Sequence, residues 1–254
     1  ICNHSAAMRR TFMLIALYLF FLCTKITAQS PSLQSKAIIV KRMIELNHLP
    51  PRPVDDNFSV ALFKSILKAA DRRKLLFTDQ EYKALSEHSA SLDDELNGKR
   101  WNFMSLLEPL YKRSLNRADS IIRKLLQKPF DFSVNETITR SRDENFNFAA
   151  DVTALSGRWS RYLKYKALDQ LFDIASEDTT GKTTIKTVIG KEEPKVRERI
   201  LAAETKILKK VLNYPGGFSE YVSQLYLNAI ATGFDPHTNY FSQEGKEEFK
   251  SAMS

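Results

Sequence analysis

The sequence predicts a mostly α-helical domain of about seven helices, and three observations carry that prediction. Glycine is scarce, 8 residues in 254, which suits helices and argues against a turn-rich sandwich or propeller. Apolar residues recur at the 3.6-residue period through most of the chain. Strand-like alternation of apolar and polar residues is hard to find. The balance of 43% hydrophobic and 27% charged residues is globular, which excludes a wholly disordered or collagen-like chain.

The segment before the helices reads as a cleaved export signal. Residues 1–7 precede the first methionine, Met8, and read as a remnant upstream of the start. Arg9 and Arg10 form a positive flank, and an unbroken apolar run of twelve residues extends from Phe12 to Cys23. Ile26-Thr27-Ala28 then offers a cleavage site, with Gln29 as the first mature residue. A bilayer span needs about 20 apolar residues, so the run is too short for one. A lipid anchor on Cys23 would want a small residue before it, where Leu22 stands. Residues 1–28 contain Arg9, Arg10 and Lys25 and no acid, so their removal takes the net charge from +8 to +5. That charge is diffuse. Its densest cluster is Arg72-Arg73-Lys74, after Asp71, and nucleic-acid binders concentrate charge more than this. Both cysteines, Cys2 and Cys23, fall in the removed part. The mature chain therefore holds together without disulfides.

The helices follow in order. Phe58, Ala61, Leu62, Ile66, Ala69 and Ala70 fall on one face of a helix over 57–70. Thr78-Asp79-Gln80-Glu81 has the spacing of a capping box, and a helix from 79 to about 95 follows, ending before Asn97-Gly98. From Trp101 to Gln127 a long apolar stripe includes Phe103, Leu107, Leu110, Leu115 and Ile122. Pro109 predicts a kink or a helix start inside it, and Lys128-Pro129 ends it. Residues 130–142 read as an irregular connector. A helical stretch over 146–176 carries Trp159, Tyr162, Leu163, Leu168, Leu171 and Phe172, with Gly157 as a potential break. Residues 177–192 read as a Thr/Gly/Lys-rich mobile surface loop. Pro194 then opens a helix as a first-turn proline, carrying Val196, Ile200, Ala203, Ile207, Leu208 and Val211. Tyr214-Pro215-Gly216-Gly217 breaks the chain. Phe218, Val222, Leu225 and Ala229 mark the last helix.

Chemical motifs are weak by comparison. Thr180-Gly181-Lys182-Thr183 resembles the end of a phosphate-binding loop, but Ser176 stands where its first glycine belongs and a helix precedes it. Ser65 and Lys68 satisfy S-x-x-K, yet their companion motifs are absent, and they read as residues flanking a buried stripe. Gly217-Phe218-Ser219-Glu220-Tyr221 lacks the closing glycine of a nucleophile elbow and reads as the start of a helix. The mature histidines, His48, His88 and His237, form no close metal-ligand pair, so no metal or cofactor is expected. The most unusual string is Asp235-Pro236-His237-Thr238-Asn239-Tyr240-Phe241-Ser242. It reads as a turn, with His237 and Tyr240 buried and hydrogen-bonded at a domain junction.

That string, followed by Glu248-Phe249 and Met253-Ser254, resembles the tail-specific protease branch of the carboxy-terminal processing peptidases. There a D-P-H-T-x-Y-x-S string closes an N-terminal helical domain before a PDZ domain. Residues 55–79 are similar to the family's early helix pair, Lys128 to Phe132 to its K-P-x-D-F connector, and Trp159 to Leu171 to its W-x-x-x-x-K-x-x-x-L helix. The resemblance covers roughly residues 40–254 and implies three parts. These are a signal over 1–28, a helical N-terminal domain over 29–234, and a junction over 235–254 in which Asp235, Pro236, His237, Thr238 and Tyr240 are structural.

The resemblance further implies a periplasmic serine endopeptidase acting on exported proteins with apolar C-terminal tails. Its serine and lysine lie beyond the PDZ domain, so no catalytic residue is carried over. The implied partners of this part are such substrates and an adaptor protein, with no nucleic acid and no membrane beyond the transient signal. The alternative is a stand-alone exported helical binding or adaptor module without enzymatic activity.

Overall fold

A computed structural model of the chain describes residues 32–47, 53–138, 147–177 and 184–240. The predicted signal, His48, the Thr180–Thr183 string and residues 241–254 lie outside the described residues. Eight helices are seen among the described residues: α1 (Leu33–Asn47), α2 (Asp56–Ala70), α3 (Asp79–Ser86), α4 (Leu92–Leu96), α5 (Phe103–Leu125), α6 (Val152–Ser176), α7 (Ile185–Leu212) and α8 (Phe218–Phe234). No strand forms among them; one isolated parallel bridge joins Thr78 and Ala149. The mostly helical fold is as the sequence predicts. All eight helices belong to one unit, Leu33–Ser254.

Local chemistry sets most helix starts. Asp55, Asp151 and Thr184 each accept the backbone N–H three residues on, at 3.0, 2.7 and 3.3 Å. The predicted capping box forms: Thr78 Oγ1 accepts from Glu81 N, and Glu81 Oε2 accepts from Thr78 N at 2.9 Å. Helix α5 is capped from a distance. Its flanking Asn102 makes no side-chain cap, and Glu95 Oε1 instead accepts the N–H groups of Asn102 and Phe103, both at 2.7 Å. These donors would otherwise lack helical partners.

Helix α5 runs through the middle of the molecule and contacts α3, α6, α7 and α8. On one side α8 packs against α1 and α2, and α4 packs against both of those. On the other side α6 and α7 lie against each other and against α5. Aromatic rings join the parts: Phe58 to Phe234 at 4.8 Å, Phe63 to Phe103 at 5.8 Å, and Tyr111 to Phe77 and Phe218 at 5.9 and 5.7 Å. Each fully buried leucine, such as Leu62, Leu107 or Leu163, contributes about 2 kcal/mol through lost water contact. Gly233 lets α8 approach α2 closely, since a Cβ there would stand 3.3 Å from the Phe58 ring. Ser59 Oγ donates to Asp93 Oδ1 at 2.6 Å and accepts Asp93 N at 2.8 Å, which ties α2 to α4 inside the core.

Five local expectations are corrected. The helix predicted over 79–95 is two helices. Between them His88, Ser89 and Ser91 donate to carbonyls three residues back, and the Ser86 and Ser91 hydroxyls bond nearby carbonyls, as short polar side chains do when they compete with a helix. The sequence reading places no helix at α1. Leu33, Ala37, Val40 and Ile44 form its core-facing stripe, but Ile39, Met43 and Leu46 are exposed on its other faces and blur that pattern in the sequence. Helix α5 begins at Phe103 and passes through Pro109. Gly157 does not break α6, and Phe172 and Ile207 of the predicted stripes are exposed.

The fifth correction is the largest. The expected mobile loop over 177–192 is replaced by helix in its second half, because α7 already begins at Ile185 and runs through Gly190 and Pro194; residues 178–183 lie outside the described residues. Pro194 removes one helical N–H, and tertiary anchors compensate. Val188 and Val196 are buried. Buried Glu193 accepts Phe130 N at 3.1 Å and Arg197 Nε at 2.8 Å, and Arg197 donates to Leu126 O at 2.9 Å. These bonds fasten α7 to the chain that follows α5.

Candidate functional site

Two loops organised by aspartates frame the functional reading. The first follows α2. Asp71 caps the C-terminus of that helix and is almost fully buried. Its Oδ1 accepts Leu75 N at 2.8 Å, and its Oδ2 accepts Leu76 N and Phe77 N, both at 2.9 Å. Burial pushes its pKa up, while the three N–H bonds pull the other way. Closing this loop puts Lys74 in the left-handed region at φ 51°.

Two neighbours lock the loop. Trp159 of α6 donates Nε1–H to Leu75 O at 2.8 Å. Arg117 of α5 donates to Leu76 O at 2.5 Å and makes two bonds, 2.8 and 2.7 Å, to the Glu81 carboxylate. Burial pushes Glu81 up, but the Arg117 bonds and charge outweigh it and hold the carboxyl below its ordinary value.

The loop forms one wall of a groove of about 1090 Å³. It contributes Arg72 and Arg73. Helix α6 contributes Arg158, Arg161, Tyr162 and Tyr165, and α7 contributes Glu204, Ile207 and Leu208. The Arg73 guanidinium lies 5.0 Å from the Tyr162 ring centroid. Arg158 donates to Asn147 O at 2.7 Å. Burial, and then the adjacent Arg161 charge, lower the pKa of Arg158. The carboxylates of the groove are engaged from within: Glu204 by Lys166 and Glu136 by Lys164, both at 2.5 Å. The sequence signal for this wall was the Asp71-Arg72-Arg73-Lys74 cluster, read there as diffuse charge. Its partners on α6 and α7 could not be read from local pattern.

The second loop is the predicted junction. Asp235 caps α8, and its Oδ1 accepts His237 N at 2.9 Å while its Oδ2 accepts Thr238 Oγ1 at 3.1 Å. Thr238 N donates to Asp235 O at 3.0 Å, and Tyr240 N donates to Asn228 Oδ1 at 3.0 Å, folding the chain back along α8. The expected turn is thus hydrogen-bonded. The expected burial is corrected: Pro236 and His237 are exposed, and Tyr240 is half-buried against the core. Burial, then the Glu220 charge, raises the Tyr240 hydroxyl.

The remaining predicted residues are dispersed. Ser65 is half-buried and Lys68 exposed on α2, with no hydrogen bond between them. Ser219 sits in the first turn of α8 and bonds Glu108 of α5. No cluster of histidine, cysteine and carboxylate side chains suited to a metal ion occurs among the described residues. No helix among them is long and apolar enough to cross a membrane.

The described residues form a helical domain with an arginine- and tyrosine-lined groove and a hydrogen-bonded turn after the last helix. Residues 39–244 match the family described as the tail specific protease N-terminal domain. The match begins within α1 and spans every later helix and the Asp235 turn. The chain belongs to that family.

Proposed function

We propose that the chain is the N-terminal part of a periplasmic, tail-specific serine endopeptidase that cleaves exported proteins bearing apolar C-termini. In this reading residues 1–28 direct export and are removed. Residues 29–234 form the helical part that engages substrates or an adaptor and scaffolds the protease. Residues 235–254 lead toward a PDZ domain, and the serine and lysine of the reaction lie further on. The family match over residues 39–244 carries the proposal. The Arg9-Arg10 flank and the apolar run from Phe12 to Cys23 support the periplasmic part. The Asp235 turn, pinned to α8 through Asn228, supports the junction, because it ends the last helix and holds the chain in a fixed turn as far as Tyr240.

The test reads the coding sequence past codon 254 and assays its product on a reporter with an apolar C-terminal tail. The expected result is a PDZ-like stretch, then a serine and a lysine, with cleavage of that reporter and sparing of one with a charged tail. A stop within a few codons contradicts the enzymatic part and leaves an exported helical binding module.

A further inference from the structure

We propose that an open groove between α5 and α7 binds the phosphate group of a small soluble phosphate ester. This groove is separate from the one beside the Asp71 loop. It measures about 650 Å³, within the roughly 300–1,000 Å³ of small-ligand sites. Leu201, Ala202, Thr205, Lys206, Lys209 and Lys210 of α7 line it.

Thr205 points to a ligand. It is 8% exposed, and its Oγ1 has no hydrogen-bond partner. A helical threonine ordinarily returns its hydroxyl to a carbonyl three or four residues back. Thr232 of α8 does so, donating to Asn228 O at 3.0 Å. Thr205 stands inside α7 with the same option and does not take it. Buried polar atoms seldom go unpaired, and an oxyanion seated against Thr205 would accept its proton.

The charges around that hydroxyl are unspent. The ion pairs of α7 join Glu192 to Lys195, Glu193 to Arg197 and Glu204 to Lys166 of α6. They leave Lys206, Lys209 and Lys210 without an acid partner among the described residues. Lys209 and Lys210 stand in the last turn, where the negative end of α7 favours cations. That effect accounts neither for Lys206 nor for the hydroxyl of Thr205. Arg123 of α5 also lines the groove but is held by Asp119 at 2.8 Å. Glu198, the acid that lines it, precedes Thr205 by two turns, about 10 Å along the helix and away from the lysines.

Three ammonium groups and a hydroxyl suit a phosphate dianion, whose oxygens accept from separate point charges. A planar carboxylate is better matched by a guanidinium fork. Leu201 and Ala202 give the organic part of the ester an apolar wall. The Thr205 hydroxyl lies below the surface, where a phosphate on a small molecule reaches it and the headgroups of a flat bilayer do not. The site stands apart from the proposed proteolysis and needs no part of it.

The experiment is isothermal titration calorimetry of the folded chain with phenyl phosphate at about pH 7.5, where the phosphate is largely a dianion. Saturable one-to-one binding is expected, weakened by salt. Lys206→Ala with Lys209→Ala is expected to weaken it by about tenfold or more. Thr205→Val should weaken it by about fivefold. Its melting temperature should stay level or rise, because the hydroxyl has no protein partner to lose. Lys186→Ala with Lys191→Ala, at the other end of α7, should leave binding unchanged.

The proposal is overturned by absence of saturable binding to the folded chain. Equal affinity for benzoate overturns it, since the face would then take any anion. So does a Thr205→Val protein that binds as the wild type does, or one that melts earlier, which would show that the hydroxyl has a partner inside the protein. Displacement of phenyl phosphate by phosphatidylglycerol vesicles, or by an oligonucleotide without a terminal phosphate, would assign the lysines to a polyanionic surface and overturn it as well.

Discussion

Asp71 and Asp235 do the same local job with different consequences. Each ends a helix and turns the chain by accepting donors from the residues that follow. Asp71 does so inside the core, where three N–H groups and two neighbouring helices converge on one loop. Asp235 does so in a half-buried turn, accepting His237 N and the Thr238 hydroxyl, with Pro236 and His237 exposed beside it. Water can replace partners lost at Asp235 but not at Asp71. The more unusual sequence string thus ends in a partly exposed turn, while the plainer one holds a core loop together.

The largest effect should come from Asp71→Asn. One carboxylate oxygen becomes an NH₂ that faces backbone N–H donors, leaving buried groups unpaired. A loss of about 3 kcal/mol is expected in urea unfolding, judged from the cost of buried unsatisfied groups. A loss below about 0.5 kcal/mol, the range of ordinary surface changes, would show that the loop does not depend on the carboxylate.

Arg117→Ala ranks next, with an expected loss of about 2 kcal/mol at neutral pH, because it strands the Leu76 carbonyl and leaves the Glu81 carboxylate only Thr78 N and the looser Arg113 pair. It should also change the acid limb. Glu81 is held below its ordinary value, so its stabilising contribution is present above the unfolded pKa of about 4.5. It is lost as pH falls through the folded value. The wild type should therefore lose stability more steeply below that pH than Arg117→Ala does. The difference between the two curves isolates this pair from Glu95, whose carboxyl burial pushes up. Glu95 acts with the opposite sign, since the unfolded chain gives up that proton first and stability falls as pH rises. Parallel acid limbs for the two proteins would contradict the assignment.

The smallest effect belongs to Asp235→Asn. An asparagine oxygen can still accept His237 N, and the Thr238 hydroxyl can turn to water. A change within about 0.5 kcal/mol is expected, because the isosteric amide keeps the acceptor for His237 N in a half-buried turn. A loss as large as that of Asp71→Asn would erase the distinction between the two turns.

The same contrast governs what was legible in the sequence. The capping box at Thr78 and Glu81, the α2 face and the long α5 stripe were legible because their signals lie within four residues of one another. The split at residues 87–91 was missed because helical spacing continues across it while serine side chains redirect the backbone. The start of α7 was misread because glycine and proline argue for a loop, and only the distant Phe130 N–H and Leu126 carbonyl, fastened by Glu193 and Arg197, overrule them. The groove was illegible for a related reason. Trp159 and Leu75 are 84 residues apart, and nothing in either stretch names the other. The Asp235 string was legible only through resemblance. Its local chemistry predicts a turn, and its burial was overestimated because short polar side chains satisfy one another there without a core.

The most direct test of the account is amide hydrogen exchange at four positions in the wild-type chain. Leu76 and Phe77 N–H should exchange only through global unfolding, with protection matching the stability from urea. His237 and Thr238 N–H should exchange orders of magnitude faster, through local opening. Exchange of Leu76 and Phe77 at the rate of His237 would mean that the Asp71 loop opens independently, and that the wall holding Arg72 and Arg73 is not fixed.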